Sequence, residues 1–161
     1  MPVLKRLLLS TIAVLAISAL AHESTAAAAD DNMEILIQKI KADKKLLLAA
    51  NMDLTDAEAK QFWPLYDAYQ KELEKINQHL GATIKEYADA LDKGPIPNET
   101  AMKLMLEALS VQEAELTLNR AYAAKIAKVL PGVKTARFIQ IENRIRAVRN
   151  AEIARQIPLV Y

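Results

Sequence analysis

The sequence predicts an all-α protein: an elongated four-helix hairpin or cradle with long second and third helices, following an N-terminal signal peptide. Three observations carry this expectation. Apolar residues recur at the helical period through the middle of the chain, and no segment alternates with period two as a half-buried strand does. Gly and Pro cluster at two places in the body, 92–98 and 131–132, where a long helix has to stop.

The central helix is the longest. Thr55 and Glu58 stand three apart at its start, the spacing of a capping box in which each side chain bonds the other residue's amide. From Phe62 the apolar positions Tyr66, Tyr69, Leu73, Ile76, Leu80, Ile84, Tyr87 and Leu91 follow, eight steps across 29 residues. That is about 3.6 residues per step, so the stripe stays on one face without supercoiling. Pro64 predicts a kink beside Phe62 and Trp63, because it lacks a backbone donor and crowds the carbonyl four residues earlier. Gly81 is either a point of close helix approach or a tolerated weak spot worth about 1 kcal/mol relative to Ala.

A first helix is expected over 33–50, with Met33, Leu36, Ile37, Ile40, Leu47 and Leu48 on its apolar face. After the stop at Asp92–Asn98 a third helix over 99–129 has a broad apolar face. It carries Leu104, Ala108, Val111, Leu118, Tyr122, Ile126 and Val129, flanked by Met105, Leu109, Leu116 and Leu130. Such width predicts contact with two neighbours at once. Leu130-Pro131-Gly132 ends it, and a fourth helix over 133–156 carries Phe138, Ile141, Ile145 and Val148. Pro158 then leaves Leu159-Val160-Tyr161 as a short apolar tail. The two long helices form an antiparallel hairpin in this reading, with the first and fourth packing at its ends.

Residues 1–21 read as a signal peptide: Lys5 and Arg6 precede the apolar run Leu7–Leu20, and Ala19-Leu20-Ala21 supplies the small residues of a cleavage site. The run is short for a membrane span, which needs about 20 apolar residues. Residues 22–32 form a polar leader, and 33–161 a single helical domain. The expected address is periplasmic. Removing 1–21 takes away two of the 21 basic residues and none of the 20 acidic ones, leaving a net charge of −1. Global charge therefore names no partner, and the absence of Cys excludes thiol chemistry and disulfides.

Catalytic chemistry is sparse. Beyond residue 32 there is one His, His79, and one Ser, Ser110, and the glycines are Gly81, Gly94 and Gly132. A Ser-His triad or a phosphate-cradling loop has nothing to be built from, so no enzyme activity, cofactor or metal is expected. Glu113 and Glu115 lie two apart and point to different sides of their helix. The fourth helix sets Lys134, Arg137, Arg144, Arg146, Arg149 and Arg155 against only Glu142 and Glu152. Nucleic acid is not expected of an exported chain with Phe138 alone for stacking. Two readings stay open for these cations: a surface for client proteins, a partner or anionic membrane lipid, or pairing with Glu72, Glu74, Glu86 or Asp89. Arg144, Arg146 and Arg149, with Phe62, Trp63 and Tyr66, are the candidate binding residues.

The opening Leu54-Thr55-Asp56-Ala57-Glu58, the cysteine-free helical body and the signal peptide together resemble the periplasmic Spy/CpxP family, named for two Leu-Thr-x-x-Gln motifs. The second copy is matched loosely by Leu130-Pro131-Gly132-Val133-Lys134. Glu58 and Lys134 stand where the family has Gln. The resemblance implies a thin four-helix cradle, usually a homodimer, acting as an ATP-independent chaperone, a modulator of an envelope-stress sensor kinase, or a heavy-metal binder. A homodimer is also expected on the ground that one thin layer of helices is too small to enclose Phe62, Trp63, Tyr66, Tyr69 and Leu104.

Export is directly testable. Mass spectrometry of the envelope fraction is expected to find a chain beginning after Ala21, and a cytoplasmic product beginning at Met1 refutes it.

Overall fold

A computed structural model describes residues 43–160. The expected signal peptide and leader, the first ten residues of the expected first helix and Tyr161 lie outside the described residues. Four helical segments are seen among those described, with no strand: α1 (43–52), α2 (Asp56–Leu91), α3 (Asn98–Ile126) and α4 (Gly132–Gln156). The all-α expectation holds, with boundaries within three residues of those predicted for the long helices.

Local chemistry sets each end. α1 runs two residues past its predicted stop and ends where Asp53 adopts φ 48°, a left-handed conformation that Asp tolerates better than most residues. At the start of α2 the Thr55 hydroxyl accepts from the Glu58 amide at 3.3 Å, while the Thr55 amide donates to Glu58 Oε2 at 2.8 Å. The capping box is thus complete. α2 continues as one helix of 36 residues, about 54 Å, through Pro64. Pro64 and Lys60 are exposed, so the carbonyl that loses its partner has access to water. Gly94 has φ 120°, which only glycine adopts readily, and it turns the chain between α2 and α3. Gly81 has nothing within 4 Å of where a Cβ would sit, so it is not a close contact between helices.

α2 and α3 form an antiparallel hairpin: Glu86 meets Lys103, His79 meets Glu107, and further from the loop Tyr69 meets Asn119. The other two helices depart from expectation. Instead of taking one end each, both enter at the open end of the hairpin, because only three residues join α1 to α2 and five join α3 to α4. α1 lies against α2 through Lys44–Gln70 and Lys45–Asp67. α4 runs parallel to α2, from Phe138 beside Phe62 to Pro158, whose carbonyl accepts from the Tyr87 hydroxyl at 2.7 Å.

The core sits where four helices meet. Leu48 and Met52 from α1, Phe62, Tyr66, Tyr69 and Leu73 from α2, Leu118, Tyr122 and Ile126 from α3, Leu130, and Phe138 and Ile141 from α4 form one buried cluster. Its centre is a set of edge-on aromatic pairs, with Phe138 5.5–6.4 Å from the rings of Phe62, Tyr66 and Tyr69. Each such pair adds about 0.5–1.5 kcal/mol beyond area burial. The expectation that a second copy is needed to cover the aromatics is overturned: Phe62, Tyr66, Tyr69 and Leu104 are buried within one chain, and Trp63 is half-buried. The physical reason is that α2 has more than one neighbour, since α1 and α4 both pack on its N-terminal half.

Two buried tyrosines make opposite predictions. Tyr69 is hydrogen-bonded, whereas the Tyr66 hydroxyl is buried with no partner. Tyr66→Phe is expected to be neutral or to stabilise by about 1 kcal/mol, and Tyr69→Phe to destabilise by about 1–2 kcal/mol. Urea unfolding of the two variants checks the contrast; equal losses in both refute it.

Candidate interaction surface

The basic residues of α4 divide into three groups once α4 is packed. Lys134 and Arg137, in the first two turns, reach across to the end of α1. Lys134 donates to the Asp53 carbonyl, and Arg137 Nη1 to the Asn51 carbonyl at 3.2 Å. Cations at a helix C-terminus meet the carbonyls the helix leaves unbonded and the negative end of its dipole. Lys134 also lies 2.6 Å from Glu58 Oε2. The two residues that stand at the Gln positions of the Leu-Thr-x-x-Gln pattern are therefore each other's partners. Leu54 and Leu130, the leading residues of the two motif copies, pack on or within the core.

The second group faces inward. Glu115 on α3 is 4% exposed and is held by Arg149 Nη2 at 2.6 Å and Arg146 Nε at 3.2 Å. Arg149 also donates to Asn77 Oδ1 at 2.7 Å, which ties in α2. The acid these arginines reach is thus on α3, not among the α2 carboxylates expected. A residue two positions from exposed Glu113 gives no sign in sequence of being buried; only the placement of α4 against α3 decides it. Next to this pair lies Glu142, 3% exposed, with Lys44 Nζ at 3.3 Å, Gln70 Nε2 at 3.3 Å and the Tyr69 hydroxyl at 3.3 Å. The same hydroxyl is 3.0 Å from Asn119 Oδ1, with one proton to share between the two acceptors. Burial, then the Glu142 charge, hold the Tyr69 hydroxyl far above its ordinary range. Burial and the Glu72 carboxylate push the Tyr122 hydroxyl up to about 12.

Arg144 and Arg155 form the third group, turned to solvent. Arg155 leans on Glu152 at 3.4 Å, a contact worth little in water. Arg144 has no ion pair among the described residues and stands, with Arg137, at a cleft of about 620 Å³ between α1 and α4. Ala50, Asn51, Asp53, Gln140 and Ile141 complete its lining. Leu46 and Leu47 on α1 and Val148, one turn beyond Arg144 on α4, are large apolar side chains left exposed nearby in sequence.

The six candidate binding residues therefore separate. Phe62 and Tyr66 are core residues, and Arg146 and Arg149 are internal partners of Glu115, so none of these four is free to take a ligand. Trp63 is half-buried, 5.0 Å edge-on to Phe62 with Lys45 Nζ 5.1 Å from its ring, and borders a shallow groove of about 480 Å³ with Asp56, Ala59, Lys60 and Pro64. Arg144 alone is fully available. The broad third helix was expected to supply exposed apolar surface, but the residues of its outer flank were not among the candidate binding residues. Met102, Met105, Leu106, Leu109 and Leu116 are each about half exposed or more. The breadth of that helix's apolar face is the signal, but part of it faces outward instead of meeting a second helix of the same chain.

His79 is exposed, its Nε2 2.7 Å from Glu107 Oε2 on α3. Among the described residues no three or more His, Asp or Glu side chains converge as metal ligands do, and no helix is long and apolar enough to cross a membrane. Compared with known proteins, the chain matches no family model, no curated protein and no solved structure.

The Lys134 contact and the Thr55 amide hold the Glu58 carboxyl below its usual range. A lowered native pKa means that the unfolded chain takes up the proton first as pH falls. The stabilisation is thus present above the ordinary carboxylate range and disappears as pH drops through the native value. Glu58→Gln is expected to lower the Tm at pH 7, with the gap to the wild type closing below about pH 4. Thermal unfolding across pH 3–7 measures this, and a gap independent of pH refutes it.

Proposed function

We propose that this protein is an exported, periplasmic helical binding protein, an ATP-independent chaperone or envelope-stress interaction protein that holds unfolded clients or a partner through apolar and basic helix faces. It acts without catalysis, cofactor or metal. The observation that carries the reading is the cleft between α1 and α4, where Arg144 is unpaired and Arg137 is beside it. Leu46, Leu47 and Val148, each within about a turn of a lining residue in sequence, are exposed. Apolar surface next to unpaired positive charge suits an extended chain that carries both apolar and acidic side chains. The Spy/CpxP resemblance points the same way, since it rests on Leu54, Thr55, Glu58 and Leu130 at the end of the bundle where this cleft opens.

A second reading, modulation of a sensor kinase, draws on the same cleft. One exposed arginine among partly buried ones is a narrow feature, and a specific acidic partner fits it as well as a mixture of clients does. Membrane contact through anionic headgroups is a weaker form of the same electrostatics, because only Arg144 and Arg155 face outward on α4.

The test is suppression of aggregation of a chemically unfolded client, without ATP, by the mature chain and by Arg144→Glu. The wild type is expected to suppress aggregation at near-stoichiometric ratios, and Arg144→Glu to need several-fold more protein while retaining the wild-type Tm. Absence of suppression by the wild type removes the chaperone reading, and equal suppression by both moves the binding face away from α4. Replacing Arg146 and Arg149 does not test binding, since it leaves Glu115 buried and uncompensated, at a cost of about 3–5 kcal/mol in stability.

A further inference from the structure

The methionines of the chain divide by environment. Met1 and Met33 lie outside the described residues, and Met52 is fully buried in the core. Met102 and Met105 stand one turn apart on α3 and are 54% and 45% exposed. With Leu106 and Leu109, also half exposed or more, they form a patch on the outer flank of the helix. At about 100° per residue the four fall within an arc of about 100° and along about 10 Å of the helix axis. Leu104 and Val111, which are buried, point to the opposite side.

Four large apolar side chains at this exposure present roughly 400 Å² to solvent, the scale of the largest apolar patch on a typical monomer. Thioethers make up half of it. The chain has no Cys, so the sulfur it offers to an oxidant is thioether sulfur alone. Susceptibility of sulfur to oxidation follows exposure. Among the described methionines that selects Met102 and Met105 over Met52.

We propose that the Met102–Met105 turn is a site of reversible oxidation by peroxides, and that its conversion to methionine sulfoxide turns this flank of α3 from apolar to polar. In the step, a sulfur lone pair attacks one oxygen of hydrogen peroxide. An S–O bond forms, the O–O bond breaks, and the departing hydroxide takes the proton from the transferred oxygen and leaves as water. Sulfur gives up two electrons and the peroxide accepts them. Two thiols of a reductase reverse the change, returning the thioether and releasing water as they form a disulfide. Because the new S–O dipoles point into water, opposite Leu104 and Val111, the helix keeps its core contacts. The turn shares no residue with the α1–α4 cleft, so this inference stands whether or not the proposed function does.

Trypsin separates the three methionines for the test. Lys45 and Lys60 bracket Met52, Lys93 and Lys103 bracket Met102, and Lys103 and Arg120 bracket Met105. Mass spectrometry of these peptides, after dilute hydrogen peroxide is applied to the folded mature chain, is expected to show Met102 and Met105 oxidised at least about 10-fold faster than Met52. At the dose that converts both, binding of anilinonaphthalene sulfonate, a dye that reports exposed apolar surface, is expected to fall at least about two-fold. The Tm is expected to move by less than about 3 °C. A methionine sulfoxide reductase with a thiol is expected to restore dye binding. Met102→Leu with Met105→Leu keeps the patch without its sulfurs, so its dye binding is expected to survive the same dose. Met52 oxidised as fast as the pair overturns the site. A reduced chain that takes up no dye, dye binding that the sulfoxides leave unchanged, an equal fall in the double Leu variant, or a larger loss of Tm overturns the change of surface.

Discussion

Glu142 is a carboxylate 3% exposed in the middle of a helical bundle, and the packing of all four helices is arranged around meeting its charge. An unmatched ion at that depth costs several kcal/mol, so partners have to be brought to it. Lys44 comes from α1, and Gln70 and Tyr69 from α2. Tyr69 in turn bonds Asn119 on α3. Four helices are thereby held in one register, since a slip of any one by a turn, about 5.4 Å, removes a partner from Glu142 or from the adjacent Glu115. The aromatic cluster of Phe62, Tyr66, Tyr69 and Phe138 supplies apolar burial beside this network, and Tyr69 belongs to both.

Two buried acids inside and several large apolar side chains outside invert the usual distribution. The inner charges explain why a fourth helix with six basic residues contributes so little positive surface: four of the six are engaged with Glu58, Glu115 or the end of α1. The outer apolar residues lie on α3, on short stretches of α1 and α4, and in the tail at Leu159 and Val160. α3 is flanked on one side by α2 and α4 and carries nothing on its other side among the described residues. The apolar width that a single chain cannot use is a property of surfaces that meet another molecule.

The end of the bundle where the chain leaves α1 and α3 and enters α2 and α4 is tied by one pair. Glu58 completes the capping box of α2, and Lys134 joins it while also reaching the Asp53 carbonyl at the end of α1. Three helix termini thus share two side chains. The cleft lined by Arg137 and Arg144 opens beside this junction, so its walls are positioned by the same contacts that cap the helices.

Helices and their ends were legible in the sequence because they depend on interactions within a few residues. The 3.6-residue stripe from Phe62 to Leu91, the Thr55–Glu58 capping box, the stop at Gly94 and the restart after Pro131 each act locally, and the structure reproduces them. Which side chains are buried was legible only where hydrophobicity decided it, as for Leu104, Leu118 and Phe138. It was not legible for Glu115 and Glu142, whose burial depends on arginine, lysine and tyrosine residues 31–98 positions away in the chain. Nor does periodicity say which helix faces meet, and without that the α2 aromatics look like surplus surface and Arg146 and Arg149 look free. Tertiary structure alone decided that α1 and α4 share one end of the hairpin. A three-residue and a five-residue connection leave each helix no other place to turn, but which neighbour it then packs against is set by long-range charge pairing that no local pattern encodes.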